Sequence, residues 1–224
     1  MSRLLVLLLL AAGCMSDAPT RDVPTNGTLR FLALGDSYTI GEGVPASQRW
    51  PVQLAAALRQ SGVDVADPEI VAVTGWTTDE LDAGIDRADP QGPYDLVTLL
   101  IGVNNQYRGY PLDAYREDYR ALLARAVGFA GGDPSRVVAV SFPDWGVTPF
   151  AAGRDRQQIA AEVDAFNAAA RQDAEAANVA WVDITDLSRT QGAMTAPDGL
   201  HPNGAAYAAW VERLVPAARA ALGG

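Results

Sequence analysis

Residues 29–37 read Leu29-Arg30-Phe31-Leu32-Ala33-Leu34-Gly35-Asp36-Ser37. A nearly continuous apolar run closed by a Gly-Asp-Ser turn is the pattern of a strand covered on both faces, as in parallel sheets flanked by helices. Four further runs rich in Val, Ile and Leu repeat it, at 70–73, 96–101, 137–140 and 179–184.

Between these runs the period changes. Helical patterns occupy 54–59 after Pro51, 78–87, 112–127 and 155–176, and a last one starts at Gly204, with a bend or break expected near Pro216. Thr77 and Glu80 have capping-box spacing. In 155–176, Ile159, Val163, Phe166 and Ala170 share one face, while Arg156, Glu162, Arg171 and Asp173 lie mostly off it. Five strands separated by helices imply right-handed crossovers, hence a five-stranded parallel sheet in a three-layer α/β/α sandwich. Ligands of such sheets bind beyond the carboxyl ends of the strands.

Composition narrows the function. The 224 residues are 49% hydrophobic and 20% charged, and the formal charge is -10, every basic residue being Arg. That balance argues against nucleic acid as a partner, because nucleic-acid binders concentrate positive charge on one face. One Cys excludes an internal disulfide, and one Cys with one His excludes a Cys/His zinc site built from this chain.

The lone Cys has a reading of its own. Met-Ser-Arg, an apolar run from Leu4 to Ala12, and Gly13-Cys14 resemble a bacterial lipoprotein signal, with Ala11 where Leu is commoner. The expected organisation is a signal peptide at 1–13, diacylated Cys14 opening a polar tether at 14–27, and one folded domain at 28–224. Such a protein sits in the bacterial cell envelope, on the periplasmic or extracellular face, and meets the membrane through its lipid anchor only.

Four segments fall on the carboxyl edge of the expected sheet: Gly35-Asp36-Ser37, the turn holding Gly75, Gly102-Val103-Asn104-Asn105, and Asp198-Gly199-Leu200-His201. Acyl transfer needs a nucleophile, a base, an orienting carboxylate and oxyanion donors. Ser37 is the candidate nucleophile. His201, the only imidazole, is the candidate base, and Asp198 can reach its Nδ1–H across a tight turn. The Ser37 N–H, the Gly75 N–H and the Asn104 side-chain amide are candidate oxyanion donors. Each segment alone also reads as ordinary turn chemistry.

Together, in this order, GDS, a glycine in the second turn, GxN after the third strand and DxxH near the end resemble the SGNH (GDSL) hydrolase family, from Leu29 to the C-terminus. The resemblance implies a flavodoxin-like strand order 2-1-3-4-5, a Ser37–His201–Asp198 triad, and an oxyanion hole of Ser37, Gly75 and Asn104. The third block of the family usually reads Gly-x-Asn-Asp; here Asn105 stands in the last place, so the hydrogen bonds of that Asp have to be made differently.

Other motifs carry less. Gly41-Glu42-Gly43-Val44-Pro45-Ala46 fits a loose dinucleotide fingerprint but lies too far from the first strand and contains a proline. Asp36, Asp183, Asp186 and Asp198 fall near strand ends where carboxylates can hold a metal, but such residues more often cap turns, so neither metal nor cofactor is expected. Trp76, Tyr107, Tyr110, Trp145 and Phe150 are candidates to line an acyl or sugar pocket, and Arg108 is open between a substrate contact and a solvent-facing side chain. The resulting expectation is a serine esterase, monomeric, acting on a small-molecule, lipid or acylated-sugar ester through an acyl-enzyme. An acyltransferase to glycan and an inactive tethered binding module are the alternatives.

Overall fold

The computed structural model describes residues 27–224. The expectations for the leader at 1–13, for lipidation at Cys14 and for the tether up to Asn26 therefore lie outside the described residues.

Strands β1 (Phe31–Gly35), β2 (Glu69–Ala72), β3 (Leu96–Leu100), β4 (Val137–Val140) and β5 (Ala180–Val182) form one parallel sheet in the order β2-β1-β3-β4-β5. Every residue of β1, β3 and β4 is buried, which is why those segments read as nearly continuous apolar runs, with Thr98 the one polar side chain inside them. The edge strands β2 and β5 start exposed, at Glu69 and Ala180.

Among the described residues eight α-helices connect and cover the sheet: α1 (Ser37–Ile40), α2 (Trp50–Gln60), α3 (Thr78–Ala88), α4 (Val103–Tyr107), α5 (Leu112–Phe129), α6 (Arg156–Ala176), α7 (Thr185–Thr190) and α8 (Gly204–Ala221). Helix α2 packs on α8 over one face of the sheet, and α3, α5 and α6 lie side by side over the other. The chain is thus the expected three-layer α/β/α sandwich, with the strand order implied by the resemblance. Ile159, Val163, Phe166 and Ala170 are all buried along α6. Asp173, read as off that stripe, is buried as well, because Arg116 Nη2 and Arg120 Nε of α5 donate to its Oδ1 at 2.7 and 3.0 Å.

Three differences from the sequence reading have physical causes. Helix α2 starts at Trp50, since Pro51 sits in its first turn, where a missing N–H costs nothing. Of the bend or break expected near Pro216, the break does not occur: α8 runs on to Ala221, losing one intrahelical bond while Leu214, Ala218 and Ala221 hold it in the core. Strand β5 stops at Val182 because the Asp183 carboxylate takes the Ser141 hydroxyl at 2.9 Å and the Thr185 N–H at 2.8 Å, turning the chain into α7. Helices α1, α4 and α7 were not anticipated; segments of four to six residues are too short to show a period.

Candidate active site

The carboxyl end of β1 leads directly into α1. Gly35 is required by space: a Cβ there would lie 2.2 Å from Thr39 Oγ1 and 2.5 Å from the Leu100 carbonyl of β3. Asp36 is fully buried and caps α1, its Oδ1 accepting the Tyr38 N–H at 3.0 Å. Burial pushes its carboxyl up to about 7, against the opposing pull of the Tyr38 N–H. Ser37 opens the helix, so its own N–H belongs to the first turn and has no intrahelical acceptor.

Two neighbouring segments face it. After β2 the chain turns through Gly75, at φ +88°, a conformation that favours glycine. After β3, Asn104 and Asn105 sit in the first turn of α4. One N–H of the Asn104 amide donates to the Trp76 carbonyl at 2.9 Å, which fixes the amide plane and leaves its second N–H available. Asn105 is fully buried and clamps Thr78: its Oδ1 accepts the Thr78 N–H at 3.1 Å and its Nδ2 donates to Thr78 Oγ1 at 2.8 Å. Thr78 Oγ1 in turn donates to Asp118 at 3.0 Å. An amide fits this chain, because Thr78 uses its only hydroxyl proton on Asp118 and needs a donor from the other side. The hydrogen bonds left open by the departure at position 105 are therefore made.

The fourth segment is the loop before α8. An isolated bridge pairs Thr195 with Pro202, and the Ala196 N–H donates to the His201 carbonyl at 2.7 Å. Asp198 closes the turn: its Oδ1 accepts the Leu200 and His201 N–H groups at 2.9 and 3.0 Å, and its Oδ2 lies 2.6 Å from His201 Nδ1. Although partial burial pushes its carboxyl upward, the His201 ring and the two backbone donors hold it below the usual carboxylate range. Asn203 caps α8 directly after, and the Tyr38 ring lies 5.4 Å from the imidazole, centroid to centroid.

Ser37, Gly75, Asn104 and His201 line one cavity of about 160 Å³, with Asp198 behind the imidazole. No hydrogen bond of 3.5 Å or less joins the Ser37 hydroxyl to the His201 ring; such contacts commonly tighten only when substrate is seated. Tyr107, Trp145 and Phe150 form the apolar wall, with ring centroids 5.3 to 6.3 Å apart and the Arg154 guanidinium 5.2 Å from each centroid. The Trp145 indole N–H donates to Gln106 at 2.8 Å, and Gln106 donates to Glu162 at 2.7 Å, which locks that wall.

Not every candidate joins the cavity. Trp76 and Tyr110 do not line it; Trp76 packs on α3 at Gly84, where a Cβ would meet its ring at 2.1 Å. Arg108 neither faces open solvent alone nor lines the cavity, but donates to the Gly75 carbonyl at 2.6 Å and pairs with Glu80 at 3.1 Å. The four aspartates near strand ends do not converge among the described residues: Asp36 caps α1, Asp183 takes the Ser141 hydroxyl and the Thr185 N–H, Asp186 pairs with Arg213 and Asp198 holds His201. Sequence reasoning missed Arg108, Gln106 and Thr78 as supports of the site. The Thr77–Glu80 capping box, visible in the sequence and present in the structure, was the one signal pointing to that region.

Residues 33–209 match the GDSL-like Lipase/Acylhydrolase family. An arylesterase of Vibrio mimicus is 33% identical over 113 residues, covering 50% of this chain and 51% of the relative, so the match spans about half the length of that protein. Among solved structures, TesA superposes with a TM-score of 0.67 at 20% identity, over 86% of this chain and 99% of its own. The psychrotrophic esterase EstA from Pseudoalteromonas sp., inhibited by monoethylphosphonate, gives 0.64 at 17%, over 87% and 99%. The acetylxylan esterase Axe2 from Geobacillus stearothermophilus gives 0.61 at 21%, over 88% and 94%.

Proposed function

This chain belongs to the GDSL-like lipase/acylhydrolase family, and from that premise we propose that it is a serine esterase using a Ser37–His201–Asp198 triad. The observation that carries the reading is the convergence of Ser37, His201, Gly75 and Asn104, from four distant segments, on one cavity.

In this mechanism His201 takes the Ser37 proton as Oγ attacks the ester carbonyl, and Asp198 keeps the imidazole in the required tautomer and stabilises its charged form. The oxyanion of the tetrahedral intermediate accepts hydrogen bonds from the Ser37 and Gly75 N–H groups and the free Asn104 N–H. The intermediate collapses, His201 returns the proton to the departing alcohol, and water then cleaves the acyl-enzyme by the same steps with His201 as base.

Drug-sized ligands need roughly 300–1,000 Å³, and the cavity here is about 160 Å³ with three aromatic rings on its wall. A short acyl group or a single aryl ring fits that space better than a long chain. The leader sequence, with Cys14 as the acylated residue, supports a domain held by a lipid anchor in the bacterial cell envelope, on the periplasmic or extracellular face.

A fluorophosphonate probe should label the wild-type domain and not Ser37→Ala, and p-nitrophenyl acetate should be turned over by the wild type only. Full turnover by Ser37→Ala would overturn the proposal.

A further inference from the structure

The turn Gly75-Trp76-Thr77 carries a candidate oxyanion donor, and the partners of its backbone groups can be named one by one. The Trp76 N–H donates to the Val73 carbonyl at 3.3 Å. The Gly75 carbonyl accepts from Arg108 Nη2 at 2.6 Å, and the Trp76 carbonyl from Asn104 Nδ2 at 2.9 Å. The Thr77 N–H donates to Glu80 Oε2 at 2.9 Å, and the Thr77 carbonyl takes the Leu81 N–H at 2.9 Å. Of the backbone groups of this turn, only the Gly75 N–H is left without a partner among the described residues, and Gly75 lines the cavity beside Ser37. Backbone donors inside proteins are nearly always paired, so an open one at a reaction site is available for a developing negative charge.

Arg108 is the side chain that closes this arrangement. Its Nη2 holds the Gly75 carbonyl while its Nη1 pairs with Glu80 Oε1 at 3.1 Å, and the other Glu80 oxygen holds Thr77. The guanidinium therefore bridges the start of the turn to the first turn of α3. The hydrogen bond with Glu80 raises the Arg108 pKa further, and Glu80, pushed up by burial, is nonetheless held below its usual range by Thr77 and Arg108. Both groups stay charged throughout the working pH range. Glycine has no Cβ to restrict its rotation, so Gly75 at φ +88° relies on external contacts to keep one orientation. Arg108 is not among the residues lining the cavity, which separates it from any substrate contact.

We propose that Arg108 is a positioning residue: by gripping the Gly75 carbonyl from outside the cavity it holds the Gly75 N–H toward the oxyanion. The inference rests on the catalytic reading above, and it assigns to Arg108 an effect on the chemical step and none on substrate binding.

The test compares Arg108→Met and Arg108→Lys with wild type by steady-state kinetics on p-nitrophenyl acetate, by the rate of Ser37 labelling with a fluorophosphonate, and by thermal melting. Loss of a whole oxyanion donor typically costs about 10²-fold or more in kcat; a loosened one is expected to cost about 10-fold in Arg108→Met, with KM within about twofold. The labelling rate should fall in parallel, since phosphonylation builds charge on the same oxygen, and Arg108→Lys should recover part of both. Unchanged kcat and labelling, or a rise in KM with kcat intact, would overturn the assignment. Should Arg108→Met fail to fold, Arg108→Gln is judged by the same readouts. Dead Ser37→Ala with normal Arg108→Met sinks this inference alone, whereas active Ser37→Ala sinks the catalytic reading itself.

Discussion

Asp198 holds His201 at two points: one carboxylate oxygen lies 2.6 Å from the ring Nδ1 and the other accepts the His201 backbone N–H at 3.0 Å. The first contact sets the tautomer and the second sets the position of the residue in the loop. Asp198→Asn keeps an oxygen for the backbone but presents the ring with a neutral group. We expect kcat to fall by about 10²-fold or more with the melting temperature little changed, the activity remaining above that of Ser37→Ala. Wild-type kcat in Asp198→Asn would remove Asp198 from the mechanism.

The buried carboxyl of Asp36 imposes a pH trend on stability. Its folded pKa is raised to about 7 from 3.8, so between those values the folded chain keeps a proton that the unfolded chain has released. Stability from this group is therefore lost as pH rises through the window. Asp36→Asn removes the titration, and its melting temperature relative to wild type should improve steadily from about pH 5 to about pH 8. A difference that stays flat with pH would show that Asp36 does not titrate there.

Position 105 can be tested as half of a hydrogen-bond chain whose direction is set by Asp118. Asn105→Asp makes two carboxylates compete for the single Thr78 hydroxyl proton, and the loss should be recovered in part by Asp118→Asn, which can donate in the reverse sense. A thermal double-mutant cycle should give a coupling of about 1 kcal/mol. Strict additivity would dissolve the proposed chain.

Trp145 bounds the cavity with its indole N–H tied to Gln106. Trp145→Ala opens that wall, and the preferred p-nitrophenyl ester should shift to longer acyl chains while acetate turnover declines. An unaltered chain-length profile would place the acyl group elsewhere in the cavity.

Much of the framework was legible because its causes are local. The runs at 29–34, 96–101 and 137–140 are apolar but for Arg30 and Thr98 since both faces of β1, β3 and β4 are covered, and Gly35-Asp36-Ser37 and Asp198-Gly199-Leu200-His201 each act within a few residues. The supports were hidden because their partners are distant or lack a side chain. Arg108 binds a backbone carbonyl 33 positions away, and the Asn105 clamp needs Thr78 and Asp118, 40 positions apart from each other. Trp76 and Trp145 are alike as letters and were read alike, but one packs on Gly84 and the other lines the cavity that holds Ser37, a distinction made by tertiary placement.

The Gly35 position gives its motif two kinds of constraint that a mutational scan would record differently. On the proposed mechanism Ser37 is demanded by reactivity, so substitutions there should leave a folded and inert domain. Gly35 is demanded by the gap between Thr39 Oγ1 and the Leu100 carbonyl, which has no room for even a methyl group. Replacing it pries apart the two strands that present Ser37 and Asn104, and the expected casualty is yield of folded protein before activity is ever measured. A directed-evolution library on this scaffold gains by holding position 35 fixed and diversifying the aromatic wall, where the backbone is not at stake.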